Sequence, residues 1–237
     1  MGAPRYIEIL DQLRERCAGL APGTKLASER ALAEEFDVST MTVRQSLARL
    51  ADEGWVHRSQ GSGTYVSRPT VTMGPSLTSY TEDMRRLGLE PSSKVLRFET
   101  IKPDLETVTR LELRPSEQAI VLERLRFADG EPMCHEIGVF PARLADALGA
   151  ADLSGSVHEA LAEWGIAPYS TFRRVRAVVA PERECELLGL PSPSPALEIS
   201  DTFADALGQP FQHVRTRYRF DRYEVLSKID RLPGAGR

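Results

Sequence analysis

Cysteine is scarce: only Cys17, Cys134 and Cys185 occur in 237 residues, an odd number set far apart. That spacing supplies neither a disulfide framework nor a paired zinc-ligand motif, and it leaves buried free thiols as the natural reading. Long apolar runs are also missing. No stretch approaches the roughly 20 residues of a membrane-spanning helix, and the opening segment Met1 to Asp11 carries Arg5, Glu8 and Asp11 where a secretory signal would be apolar. The expectation is a cytoplasmic protein with no membrane partner. The histidines His57, His135, His158 and His213 are scattered, and no nucleophile-elbow, metal-ligand or phosphate-loop motif occurs, so neither a cofactor nor enzymatic chemistry is expected.

Positive charge is not in excess either. The net charge is −4, so the chain as a whole does not attract nucleic acid, and the placement of its arginines decides the matter. Through Arg68 the charges roughly balance, which puts most of the acidic excess in the remainder. The length, with 41% hydrophobic residues, fits two domains, each with its own core.

After Pro4, the residues Tyr6, Ile7, Leu10, Leu13 and Cys17 recur at helical spacing, and Ala21-Pro22-Gly23 ends that helix. Ser28 can cap a second helix carrying Leu32 and Phe36, and Asp37-Val38-Ser39 turns into a third that runs from about Thr40 to Glu53. This is the helix-turn-helix plan. Beyond Gly54, the segments 55–58 and 64–66 flank the tip Ser59-Gln60-Gly61-Ser62-Gly63 as a small hairpin, the wing.

A helical projection puts Val43, Leu47 and Leu50 on one apolar stripe and Met41, Gln45, Ala48 and Arg49 opposite. A recognition helix enters the major groove by its N-terminal residues, so Thr40, Met41, Thr42, Arg44 and Gln45 stand nearest base edges or flanking phosphates. Arg30, where the second helix crosses the backbone, can take a phosphate or base, and Gln60 and Gly61 can approach the minor groove. A solvated polar face is the ordinary reading of one amphipathic helix. Tight turn, reading helix and Gly-rich hairpin in that order make DNA binding the stronger reading.

The segments Pro22-Gly23-Thr24-Lys25-Leu26-Ala27-Ser28-Glu29-Arg30, Val38-Ser39-Thr40-Met41-Thr42-Val43-Arg44-Gln45 and Gln60-Gly61-Ser62-Gly63-Thr64-Tyr65-Val66 resemble the GntR family of regulators. The resemblance implies operator contacts at Arg30, Thr40, Thr42, Arg44, Gln60 and Gly61. Two positions depart from its pattern. Ala27 replaces a usual proline, and Thr40 replaces an arginine found in many members, which removes a bidentate contact.

A Pro-, Gly- and small-polar-rich stretch, 68–76, reads as the linker between a 1–67 head and a 77–237 second domain. The second domain alternates strand and helix: a strand near 95–101, a helix after Pro103-Asp104, a hairpin around Asp129-Gly130, and helices near 156–164 and 182–188. Phe127-Ala128-Asp129-Gly130-Glu131-Pro132 is echoed by Asp205-Ala206-Leu207-Gly208-Gln209-Pro210, so two related hairpins can share one antiparallel sheet with covering helices. The fold class is α+β.

Arg124 and Arg126 lie two apart on a strand and share a face. Two convergent guanidinium groups suit a phosphate or carboxylate, and a solvated face with cross-strand ion pairs is an equal alternative. Whether Glu136 joins them depends on register: a two-residue loop at Asp129-Gly130 puts it on the opposite side from Arg124, a three-residue loop directly across.

The segments Leu77-Thr78-Ser79-Tyr80-Thr81-Glu82-Asp83-Met84, Glu123-Arg124-Leu125-Arg126 with Gly130-Glu131-Pro132, and Tyr218-Arg219-Phe220-Asp221-Arg222-Tyr223 are similar to the HutC branch of that family, whose effector (UTRA) domain has a chorismate-lyase-like fold. Within it, the chain most resembles regulators of amino-sugar use, the NagR/DasR type, which respond to glucosamine 6-phosphate or N-acetylglucosamine 6-phosphate. The resemblance implies a phosphate held by Ser79, Tyr80, Thr81, Arg124, Arg126 and Ser156, with Glu136 and Tyr223 at the sugar. His158 stands where a tyrosine is common and Gln212 where a glutamate is frequent, so the sugar side is altered. The role of His158 rests on the resemblance alone.

One winged domain reads a short half-site, so a homodimer on palindromic operator DNA follows geometrically, with the effector domain as the expected dimer interface. The expected output is derepression by a small phosphorylated-sugar-like effector acting through the linker. The rival readings are an enzyme of chorismate-lyase-like fold, which substrate turnover would reveal, and a DNA-binding dimer without a ligand, which silence across a sugar-phosphate panel would reveal.

Overall fold

Val43, Leu47 and Leu50 are each fully inaccessible to solvent, as their shared stripe on the third helix requires. In the computed structural model, which describes residues 5–59, 62–67, 70–74 and 76–227, this stripe closes a three-helix core. The helices are α1 (Arg5–Ala18), α2 (Glu29–Glu35) and α3 (Thr40–Asp52). Ile9 and Leu13 of α1 and Leu32 of α2 complete the packing. The hydroxyl of Ser46, buried on α3, donates to the Tyr6 carbonyl at 2.9 Å and so ties α1 to α3. Ser28 and Ser39 cap α2 and α3 by accepting from the amides of Ala31 and Thr42. The wing strands β1 (Val56–Ser59) and β2 (Gly63–Val66) pair antiparallel, and Val56 and Val66 extend the same core. Gln60 and Gly61 lie outside the described residues.

The chain divides into two compact units after Thr70. Part of the stretch read as linker is therefore a strand of the second unit. β3 (Val71–Met73) pairs in parallel with β10 (Tyr223–Val225), and Val71 is buried beside Tyr223. The Pro- and Gly-rich flanks hid this three-residue strand, whose partner lies 152 residues away in the sequence.

The second unit is built on a six-stranded antiparallel sheet in the order β4-β5-β6-β9-β8-β7. After α4 (Tyr80–Arg86) come β4 (Pro91–Ile101), α5 (Leu105–Arg110), β5 (Ala119–Ala128) and β6 (Glu131–Pro141). A 3₁₀ turn (Ala142–Leu144), α6 (Ala145–Ala150) and α7 (Val157–Ala162) follow. Then β7 (Ser170–Val179), α8 (Glu182–Leu188), β8 (Pro195–Ala204) and β9 (Pro210–Arg219) repeat the strand, helix, hairpin sequence. The strand order is symmetric about the central β6–β9 pair, so the echo between the two hairpin turns reflects two half-domains of one design.

The likeness extends to a shared irregularity. In the first hairpin Phe127 pairs with Pro132 and Arg126 with Cys134, which leaves Met133 as an extra residue in β6. In the second, Ala204 pairs with Pro210 and Phe203 with Gln212, which leaves Phe211 extra in β9. Both bulge residues are buried, Met133 in the cluster beneath α4 and Phe211 in the cluster beneath α6 and α7. These three helices cover one sheet face, while α5 and α8 pack on the other through Leu111 and Cys185. All three cysteines are free and buried.

Candidate functional site

In β5 the side chains of Arg124 and Arg126 point to the face covered by α4 and α7, and both are almost fully buried, at 3% and 1% exposure. The register question resolves through the bulge. The loop has two residues, Asp129 and Gly130, both with positive φ (51° and 77°), as a type I′ turn demands. The extra residue at Met133 then shifts the rest of β6 by one, so Glu136 stands directly across from Arg124.

The two arginines meet different surroundings. Arg124 donates through Nε and Nη2 to Glu136 Oε1 at 2.9 and 2.5 Å, and through Nη1 to the carbonyls of Leu153 and Gly155 at 3.1 and 3.0 Å. It is neutralised, and it staples the loop that leads into α7. Among the described residues Arg126 makes a single hydrogen bond, from Nη2 to Thr81 Oγ1 at 3.0 Å, and it lies over the Tyr80 ring, 4.5 Å from its centroid. Its Nε and Nη1 are buried with no hydrogen-bond partner among the described residues, and the nearest carboxylate among them, Glu136, is 4.0 Å away and already shared. A buried, under-satisfied cation is costly unless something binds it. Burial alone would raise the Glu136 carboxyl, but the guanidinium groups of Arg124 and Arg126 hold it down at about 2.

Ser79 and Ser156 are the N-cap residues of α4 and α7, and their hydroxyls meet at 3.4 Å. Ser79-Tyr80-Thr81 form a cap and first helical turn, closed by a reciprocal pair in which Ser79 Oγ accepts from the Glu82 amide and Glu82 accepts from the Ser79 amide. The Ser-x-x-Glu signature of a capping box was present in the sequence. Tyr223 stacks on Tyr218 with ring centroids 3.6 Å apart. Ser79, Tyr80, Arg124, Arg126, Glu136, Ser156, His158 and Tyr223 all line one cleft, and Thr81 reaches it through Arg126.

The cleft also holds residues that the sequence reading missed. Arg173 of β7 grips Asp201 of β8 at 2.8 and 3.0 Å, across the strand pair. Arg173 sits in Arg173-Arg174-Val175-Arg176, a run that looks like a solvated edge, and only the sheet order assigns it to the cleft. His158 and Gln212, the two departures noted on the sugar side, touch: His158 Nε2 lies 2.6 Å from Gln212 Oε1.

In the head, Thr40, Met41, Arg44 and Gln45 are exposed and Thr42 is half-buried. Arg30 is also exposed, and it pairs with Glu34 on its own helix. Arg44 donates to Glu29 Oε2 through Nε and Nη2 at 3.0 and 2.9 Å. Arg58 of β1, which the sequence reading placed in the wing without a role, lies 3.6 Å from the other Glu29 oxygen and donates to the Arg44 carbonyl. Glu29 thereby links a cation of the reading helix to a cation of the wing.

Comparison with known proteins agrees with both halves. Residues 5–66 match the model for bacterial regulatory proteins of the gntR family, and residues 86–224 match the UTRA domain. The chain is 33% identical to the HTH-type transcriptional repressor NagR of Bacillus subtilis, over 97% of this chain and 96% of that protein. It is 30% identical to the mannosyl-D-glycerate transport/metabolism system repressor MngR of Escherichia coli, over 93% of this chain and 94% of that one. The crystal structure of PhnF from Mycobacterium smegmatis superposes with a TM-score of 0.72 at 26% identity, covering 93% of this chain and 98% of that chain. NagR and MngR are both named as repressors. The chain belongs to the GntR family of transcriptional regulators, a DNA-binding helix-turn-helix head followed by a UTRA effector-binding domain.

Proposed function

We propose that the protein is a cytoplasmic repressor that binds a palindromic operator as a homodimer and leaves it when a small phosphorylated sugar occupies the cleft around Arg126. The observation that carries this reading is the buried Arg126 guanidinium, two of whose nitrogens, Nε and Nη1, have no hydrogen-bond partner among the described residues. An anion bearing several acceptor oxygens supplies what those donors lack. The Ser79 and Ser156 hydroxyls beside it add neutral donors, and Glu136 and Tyr223 suit the hydroxyl-rich remainder of a sugar. The leading ligands are glucosamine 6-phosphate and N-acetylglucosamine 6-phosphate. Repression is supported by the two relatives named as repressors.

The test is fluorescence anisotropy on a labelled operator taken from genomic DNA that the protein binds. Hexose 6-phosphates at millimolar concentration should release the DNA, while the unphosphorylated sugars should not. Release by the unphosphorylated sugars, or none by any phosphate ester, would sink the reading. Its thermodynamic basis is differential affinity for two arrangements of the heads, without which no ligand shifts the equilibrium.

A further inference from the structure

The end of the cleft formed by His158 and Gln212 is electrically unlike the end formed by Arg126. His158 packs edge-on against Phe203, with centroids 4.7 Å apart at 78°, and near Phe211 at 6.0 Å. Burial in these surroundings pushes its pKa down, which keeps the imidazole neutral. A neutral imidazole has one donor nitrogen and one acceptor. Because Nε2 meets the Gln212 carbonyl oxygen, Nε2 carries the proton. Nδ1 is then a bare acceptor, and it is buried with no partner among the described residues. Gly138 helps set this arrangement, since a Cβ there would lie 3.3 Å from Gln212 Nε2. A glycine on β6 lets the amide nitrogen lie against the strand while the carbonyl turns to His158.

The charges around the cleft complete the argument. Its three carboxylates are committed: Glu136 to Arg124, Asp201 to Arg173, and Asp83 to Arg86 and Thr78. Its lining cations are Arg124, Arg126 and Arg173. An ammonium group brought to this end finds an acceptor in His158 Nδ1 but no free counter-charge: Glu136, the carboxylate felt most strongly at His158, is already bound to Arg124, whose charge opposes a cation there, and Glu82 is held by the Ser79 amide. A hydroxyl or an amide N–H satisfies Nδ1 without that penalty.

We propose that His158 and Gln212 form a neutral acceptor that selects, for the non-anionic end of the effector, a hydroxyl or amide N–H over an ammonium group. This rests on the reading of the cleft as a sugar-phosphate site and narrows it. Of two otherwise alike amino-sugar phosphates, the N-acylated one is preferred to the free amine.

The experiment is calorimetry on the full-length protein at pH 6.5, with inorganic phosphate and three hexose 6-phosphates that carry a 2-hydroxyl, a 2-acetamido or a 2-ammonium group. We expect the ammonium ligand to bind at least about 10-fold more weakly than the better of the other two. Gln212→Glu, which adds a carboxylate beside His158, should narrow or reverse that gap. His158→Phe, which keeps the packing on Phe203, should weaken the favoured sugar phosphate about 10-fold and leave inorganic phosphate unchanged. Equal or tighter binding of the ammonium ligand by the wild-type protein overturns the proposal while the sugar-phosphate reading stands. Equal weakening of phosphate and sugar phosphate by His158→Phe would also overturn it, because the side chain would then be acting on the fold. If none of the four probes binds, the sugar-phosphate reading itself fails and this inference with it.

Discussion

Arg124 and Glu136 face each other across the β5–β6 ladder, and the guanidinium spends both Nε and Nη2 on one carboxylate oxygen, Glu136 Oε1, at 2.9 and 2.5 Å. The pair is buried, and its second anchor is the loop carbonyls of Leu153 and Gly155. Removing one partner strands the other charge. Glu136→Gln should therefore destabilise the effector domain by about 3 kcal/mol or more, read as a lowered denaturation midpoint in urea. A change within experimental error would show that the pair carries no structural load.

The same carboxylate gives a pH dependence with a definite sign. Its folded-state pKa is held at about 2, below the ordinary glutamate value of about 4.3. The stability it contributes is present above the unfolded value and is lost as pH falls through that window towards 2. Wild-type stability should drop more steeply between about pH 4.5 and pH 2 than that of Glu136→Gln. Parallel curves for the two proteins would contradict the depressed pKa.

Arg126 differs from Arg124 in carrying an unmatched charge, so replacing it with an apolar side chain of similar length relieves a strained burial. Arg126→Met should melt no lower than the wild type in the absence of ligand. It should also lose the thermal stabilisation that a saturating sugar phosphate gives, about 2.7 kcal/mol at 100 times Kd. Retained stabilisation would remove the arginine from the ligand.

On the DNA side, Arg58 is exposed and joined to Arg44 through Glu29. As a phosphate contact, Arg58→Ala should weaken binding uniformly across operator sequences and reduce the slope of log affinity against log salt by about 1. Thr40 occupies the first turn of α3 and is solvent-facing. Thr40→Arg should raise affinity for operators with guanine at the facing position by about 1–3 kcal/mol and leave others nearly unchanged. An unchanged salt slope for Arg58→Ala, or an effect of Thr40→Arg that does not vary with the facing base, would place the residue concerned off the DNA.

The sequence made the head legible because its signals are local. The Ser28 cap, the Val43-Leu47-Leu50 stripe and the paired wing strands each act within a few residues, and the structure has each of them. The α5 helix after Asp104 and the helix over 182–188 were equally readable, the first from its cap. What failed to show was set by distant partners. The bulge at Met133 decides which side of the sheet Glu136 takes, and nothing in Glu131-Pro132-Met133-Cys134 announces it. The Arg173–Asp201 pair depends on β7 lying beside β8, and β3 on a strand near the other end of its unit. The two arginines of β5 were an even choice between ligand grip and ion pair. The structure divides them: Arg124 is hydrogen-bonded to Glu136, and Arg126, 4.0 Å from the same carboxylate, is not.

The measurement that bears most directly on the account is effector-driven release of operator DNA, compared between the wild type and Arg126→Met at matched salt. Both proteins should bind the operator with the same affinity in the absence of ligand. A hexose 6-phosphate should then dissociate the wild-type complex and leave the Arg126→Met complex intact. Dissociation of both complexes at the same ligand concentration would contradict the claim that Arg126 anchors the effector.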